Sequence, residues 1–116
     1  MHAGRPCLVY STANPEQLAA VQAELGAEPA ARAIEQAFAA IAAALFQRGV
    51  RRWVVAGGET AGAVVQALGV RALAIGEQID PGVPSTVTVG GERMALALKS
   101  GNFGADDFFV KALARL

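Results

Sequence analysis

Two short runs bring together residue types that bind anions. The first, Val55-Ala56-Gly57-Gly58-Glu59-Thr60-Ala61-Gly62, passes from a β-branched stretch through paired glycines into a helical pattern. At a strand-to-helix turn of this kind the first backbone N–H groups of the helix lack partners and lie at its positive end, so a phosphate fits there. Glycine is the residue type required, because a β-carbon would hold a ligand away from the backbone and would penalise a positive φ. The spacing follows neither standard phosphate-binding pattern. Gly57 and Gly62 fall where a P-loop has its glycines, but Ala63 and Val64 stand in place of Lys and Ser/Thr, and the dinucleotide pattern fails at Glu59. The run alone therefore leaves two readings open: an anion cradle, or a tight turn in which Thr60 caps the helix and Gly62 allows close packing. Glu59 separates them. Beside a polyphosphate its carboxylate is repelled unless a Mg²⁺ bridges the two or a sugar hydroxyl donates to it; as a plain first-turn charge it needs neither.

The second run, Lys99-Ser100-Gly101-Asn102-Phe103-Gly104, places one of the chain's two lysines beside a small-residue loop. Oriented amides there can hold an anion while the ammonium adds charge without a fixed fork geometry. A loop that needs two glycines for its shape, with Lys99 solvated, is the plainer alternative. Ser11-Thr12 closes an apolar run, and ligands of open parallel sheets lie beyond the carboxyl ends of strands, so Ser11 is a candidate nucleotide contact or else part of a helix cap. Asp80-Pro81-Gly82-Val83-Pro84 reads as a stiff connector able to wall a pocket. Other chemistries are disfavoured. His2 is the sole histidine and lies in the terminal tail, against a catalytic triad or a histidine metal site. Ser100 lacks the glycine of a nucleophile elbow, Asp106-Asp107 suits a helix start, and Trp53 beside Arg51-Arg52 reads as a packing group.

The elements that must position these runs follow from punctuation and periodicity. Cys7–Tyr10 is a strand-length apolar run, and Asn14-Pro15-Glu16 opens a helix carrying Leu18, Val21 and Leu25 to Gly26. An Ala-rich helix from Glu28 to Arg48 sets Ile34, Phe38, Ile41 and Leu45 on one face and stops at Gly49. Arg51–Ala56 is a strand, Glu59–Leu68 a helix, and Val70–Ile75 a further strand. Alternation in this order builds parallel sheets with right-handed crossovers. Ser85–Val89 and Met94–Leu98 flank Gly90-Gly91-Glu92-Arg93 as a hairpin, and a final helix presents Phe108, Phe109, Ala112, Leu113 and Leu116. The expected fold is α/β, a layered α/β/α arrangement with a mostly parallel sheet and an antiparallel hairpin near the C-terminus.

Composition bounds the partners. The 116 residues, 53% hydrophobic and 17% charged, suit one folded domain over 1–116 rather than a disordered chain. Ten basic residues balance ten acidic ones, so no global field draws a nucleic acid. One cysteine, Cys7, forbids an internal disulfide, and neither a signal peptide nor an apolar run of membrane-spanning length stands out. The expectation is a cytoplasmic protein with no membrane partner.

The glycine run at 55–62, Asp80-Pro81-Gly82-Val83-Pro84, and Lys99–Gly104, in this order and spacing, resemble the C-terminal nucleotide-binding domain of the four-carbon acid sugar kinase family. The resemblance extends from Cys7 to the last helix and rests most on the latter two runs. It implies an ATP-dependent, Mg²⁺-using kinase that phosphorylates a terminal hydroxyl of a threonate, erythronate or oxo-tetronate. The family's sugar-acid site lies on an N-terminal domain with an Asp-Asp-x-Thr-Gly signature, which does not occur here. The chain thus resembles only the ATP-holding half, inactive by itself, its partner being that N-terminal domain; a homo-oligomer is compatible. Carried over by motif, the nucleotide contacts are Ser11, Gly57, Gly58, Glu59, Thr60 and Gly101, with Asn102 and Gly104 beside them. The competing reading is a non-catalytic regulatory or assembly domain with structural glycine turns. A dinucleotide-binding half-domain is disfavoured because no acidic residue closes a strand about 20 residues after the glycine loop.

Overall fold

The computed structural model describes residues 6–10, 20, 23, 27–100 and 106–116. Ser11, Gly101, Asn102, Gly104 and most of the expected Asn14–Gly26 helix lie outside the described residues. The chain divides into two compact units, Met1–Ile34 and Glu35–Leu116.

In the first unit, residues 6–10 form neither strand nor helix, and Leu8, Val9 and Tyr10 are exposed. The expected strand at Cys7–Tyr10 is therefore absent. An apolar run supplies side chains suited to a sheet, but a strand exists only where a neighbour completes its hydrogen bonds. Helix α1 (Ala27–Gln47) begins in this unit with Pro29 in its first turn, where a missing N–H costs nothing.

The second unit contains the rest of α1 and then β1 (Arg52–Ala56), α2 (Gly58–Ala67), β2 (Leu73–Asp80), β3 (Val83–Thr88), β4 (Ala95–Lys99) and α3 (Phe108–Arg115). The stop signals act as the sequence indicates. At the end of α1, Gly49 N donates to Phe46 O and Val50 N to Leu45 O, the paired bonds of a Schellman motif, and Gly69 and Val70 repeat this after α2. In the part of α1 that belongs to the second unit, Ala42 is the buried residue at 3% exposure, whereas Ile41 of the expected apolar face is 37% exposed. Ala42 joins the cluster of Trp53, Val55 and Leu96, and Phe38 and Leu45 pack against that cluster.

The four strands are ordered β1-β4-β3-β2. Strands β1 and β4 are parallel, joined in register from Arg52↔Ala95 to Ala56↔Lys99. The expected hairpin is present, with Ser85↔Ala97 and Thr86↔Leu96 paired across β3 and β4. The expected strand Val70–Ile75 differs: it starts at Leu73, continues through Gly76 to Asp80, and runs antiparallel to β3. Pro81 and Gly82 form the two-residue loop between them, Gly82 at φ 81°. Proline fixes the first turn angle and glycine accepts the second, which is a type II turn, so the chain reverses at once rather than crossing over. Among the described residues parallel pairing is thus confined to β1–β4.

Alternation along the strands gives the sheet two apolar faces. Trp53, Val55 and Leu96 pack with Ala42 of α1 and with Val64 and Leu68 of α2. Val54, Ala97, Val83 and Ile79 face the opposite way and pack with Phe108 and Ala112 of α3. Helices on both faces of one sheet make the expected α/β/α layering within this unit.

Candidate functional site

The glycine run acquires its geometry from the register of β1 and β4. Both strands point the same way and end side by side, and Gly57 N donates to Lys99 O at 2.8 Å, one step beyond the last strand pair. The two glycine-bearing runs therefore depart from adjacent positions at one end of the sheet. Helix α2 packs on one face of the sheet and α3 on the other, and the carboxyl ends of neighbouring strands between such layers are where open α/β sheets place ligands.

Gly57 is the N-cap of α2 at φ 107° and ψ 127°, a conformation reserved for glycine. Its carbonyl accepts from Ala61 N at 2.8 Å, and no side chain caps the helix. The amides of Gly58, Glu59 and Thr60 are thus left facing out of the positive end of α2. A β-carbon on Gly58 would lie 3.4 Å from Ser100 Oγ, so the absence of a side chain keeps the second run within contact distance of the first. Glu59 is exposed in the first turn, a carboxylate beside the amides.

The structural roles expected for the plain turn are not met. Thr60 lies inside α2 rather than at its cap, its side chain turned toward Gly57, since a β-carbon there would meet Thr60 Cβ and Oγ1 at 3.5 Å. Among the described residues a β-carbon on Gly62 would meet nothing within 4 Å, so close packing against them is not its reason. Lys99 falls by alternation on the face of Ala97, away from α2; it is half-buried and is not a free cation. Trp53 is buried in the core, Arg51 stacks its guanidinium 4.0 Å over Phe46, and Arg52 donates to Leu113 O, so none of the three offers a base-stacking platform.

The connector Asp80–Val83 belongs to the same end of the sheet. Continuing the β3–β4 register two residues beyond Ser85↔Ala97 sets Val83 opposite Lys99. The three runs Gly57–Gly58, Lys99–Ser100 and Asp80–Val83 accordingly stand side by side. Sequence reasoning missed two features here. Ser100, considered only as a nucleophile, aims its hydroxyl at Gly58, and Asp80 is buried and bound by Lys111. Alternation from Leu98 would have placed Ser100 on the α2 face once parallel pairing was known.

Two clefts lie elsewhere. One of about 370 Å³, lined by Phe46, Leu68, Val70, Thr88, Val89 and Met94 among others, is at the opposite end of the sheet. The other, of about 320 Å³, lies between Glu35, Gln36 and Ala39 of α1 and Ala63, Gln66 and Ala67 of α2. Among the described residues no three His, Cys, Asp or Glu side chains are grouped to hold a metal. Glu59, in the first turn of α2, is an oxygen donor of the kind a Mg²⁺ would take. No helix among the described residues is long and apolar enough to cross a membrane.

Comparison with known proteins supplies the context. A family model described as a nucleotide-binding C-terminal domain matches residues 1–109. A 3-oxo-tetronate kinase of Cupriavidus necator is 63% identical over 113 residues, which is 97% of this chain and 26% of that protein. One of Pseudomonas savastanoi pv. phaseolicola is 60% identical over 114 residues, 98% of this chain and 27% of that protein. A crystal structure of a Haemophilus influenzae protein superposes with a TM-score of 0.80 at 50% identity, covering 89% of this chain and 25% of the other. One from Salmonella typhimurium gives 0.83 at 44% identity, covering 91% and 26%. The chain spans about a quarter of the length of the curated relatives it matches.

Proposed function

The chain belongs to the nucleotide-binding C-terminal domain family, and from that membership we propose that it is the ATP-holding domain of a four-carbon acid sugar kinase. The full enzyme transfers the γ-phosphate to a terminal hydroxyl of a threonate, erythronate or oxo-tetronate type acid. The observation that carries this reading is the parallel β1–β4 pairing, which brings the uncapped start of α2 beside Ser100. The amides of Gly58, Glu59 and Thr60 bind phosphate oxygens, and Glu59 meets either a Mg²⁺ or a ribose hydroxyl. Ser11, Gly101, Asn102 and Gly104 complete the nucleotide contacts.

Phosphoryl transfer asks a protein mainly for positioning and for stabilisation of charge. This domain contributes the positioning. The remaining three quarters of a protein of the relatives' length holds the sugar acid and the base that takes its proton. The cytoplasm, where ATP is available and Cys7 stays reduced, is the expected site of action.

Isothermal titration of Mg-ATP into the chain and into Gly58→Asp tests the reading. The added carboxylate meets Ser100 Oγ and repels phosphate, so the expected result is a binding isotherm for the wild type and none for the variant. Equal heats in both would refute the site, and absence of binding by either is the outcome of the regulatory or assembly alternative.

A further inference from the structure

Asp80 carries the least exposed carboxylate among the described residues, at 7%, on the strand edge farthest from β1. It accepts a hydrogen bond from Lys111 Nζ of α3, the other lysine of the chain, and Asp107 Oδ1 lies 3.8 Å from the same ammonium. Four residues on, Arg115 Nη1 donates to Gln78 O at 3.3 Å, while Arg52 of β1 donates to Leu113 O. Helix α3 is thereby bound to both edge strands, with Phe108 and Ala112 filling the face between them. Lys111 is one turn from the start of the helix that the Lys99–Gly104 run leads into. Asp80 opens the Pro81–Gly82 turn at the same end of the sheet as Gly57 and Ser100. A buried carboxylate is costly unless paired, and replacing such a pair by apolar groups is often neutral or stabilising, so stability alone gives a weak reason for it.

The geometry points to Asp80 and Lys111 as positioning residues for nucleotide binding, an inference that rests on the nucleotide site proposed above. Their ion pair fixes the Pro81–Gly82 turn against the first turn of α3, and so holds the ends of the chain segments that border the phosphate-facing amides. Neither residue touches the nucleotide. They act by setting the spacing between the β2–β3 turn and the end of β4 at Lys99–Ser100, and a mispositioned polar cradle loses affinity even when the fold survives.

The test is the dissociation constant for Mg-ATP of the 116-residue chain, measured by titration at a temperature where circular dichroism shows every variant folded. Asp80→Asn and Lys111→Met are expected to weaken binding about fivefold or more, within the range by which residues remote from a ligand modulate affinity. Lys111→Arg, which keeps the charge and the donor, stays near the wild type. Arg115→Ala removes the neighbouring bond to Gln78 O and lowers the melting temperature without changing the dissociation constant. If Asp80→Asn does not fold, the part-exposed Lys111→Met carries the test. Wild-type affinity in folded Lys111→Met or Asp80→Asn overturns the inference and leaves the nucleotide site standing. A wild-type chain that binds no Mg-ATP overturns both.

Discussion

At the scale of single residues, the glycines of the 57–62 run separate by what surrounds them. Gly57 holds φ 107°, so Gly57→Ala is expected to cost about 1–3 kcal/mol, the usual range for a side chain forced into a sparsely populated conformation. Gly62 sits inside α2, and no described residue lies within 4 Å of where a β-carbon would go. Gly62→Ala should stabilise the chain by about 0.5–1 kcal/mol, because glycine is a poor helix former. Urea denaturation of both variants checks the contrast; a destabilised Gly62→Ala would mean that this glycine, too, is needed without its side chain. The sequence marks all these glycines alike, since the letter records the missing β-carbon and not the torsion angle it serves. Ser100 shows the same limit. Its hydroxyl matters because of where Gly58 lies, 42 positions earlier in the chain.

At the scale of elements, the helix ends and the β3–β4 hairpin were legible and the pairing of the other strands was not. Gly49 and Gly69 act within one turn of the helices they stop, so the local sequence specifies them. Val70–Ile75 looked like a strand of a parallel sheet because it followed a helix, but Pro81-Gly82 turned its extension back upon β3. A two-residue turn outweighs the habit of alternation. The ion pair between β2 and α3 also makes a prediction at this scale. The hydrogen bond to Asp80 is the largest influence holding the Lys111 pKa above its ordinary 10.5; burial opposes it and the charge of Asp107 adds to it. A lysine raised in the folded state contributes stability that is fully present below its unfolded value and is lost as pH rises through the folded value. The stability difference between wild type and Lys111→Met should therefore be constant from pH 7 to about pH 10 and shrink above 10.5. Denaturation curves across that range measure it, and a difference that shrinks already between pH 7 and 9 contradicts the pairing.

At the scale of the whole molecule, the chain matches about a quarter of kinases four times its length. The proposal that the sugar acid and the catalytic base lie outside it predicts that the isolated chain, with Mg-ATP and 3-oxo-tetronate, yields no phosphorylated product; a coupled ADP-release assay detects turnover if there is any. The sequence by itself determined the α/β class, the positions of the helix stops, the β3–β4 hairpin and the family, because each depends on residues near one another in the chain or on the order of short motifs. Tertiary structure alone decided that Gly57, Ser100 and the Pro81–Gly82 turn share one end of the sheet, that Cys7–Tyr10 is not a strand, and that Asp80 finds Lys111. These are contacts across tens of residues, set by strand register and helix packing, and no local pattern of side chains encodes which partner a strand edge or a buried charge will meet.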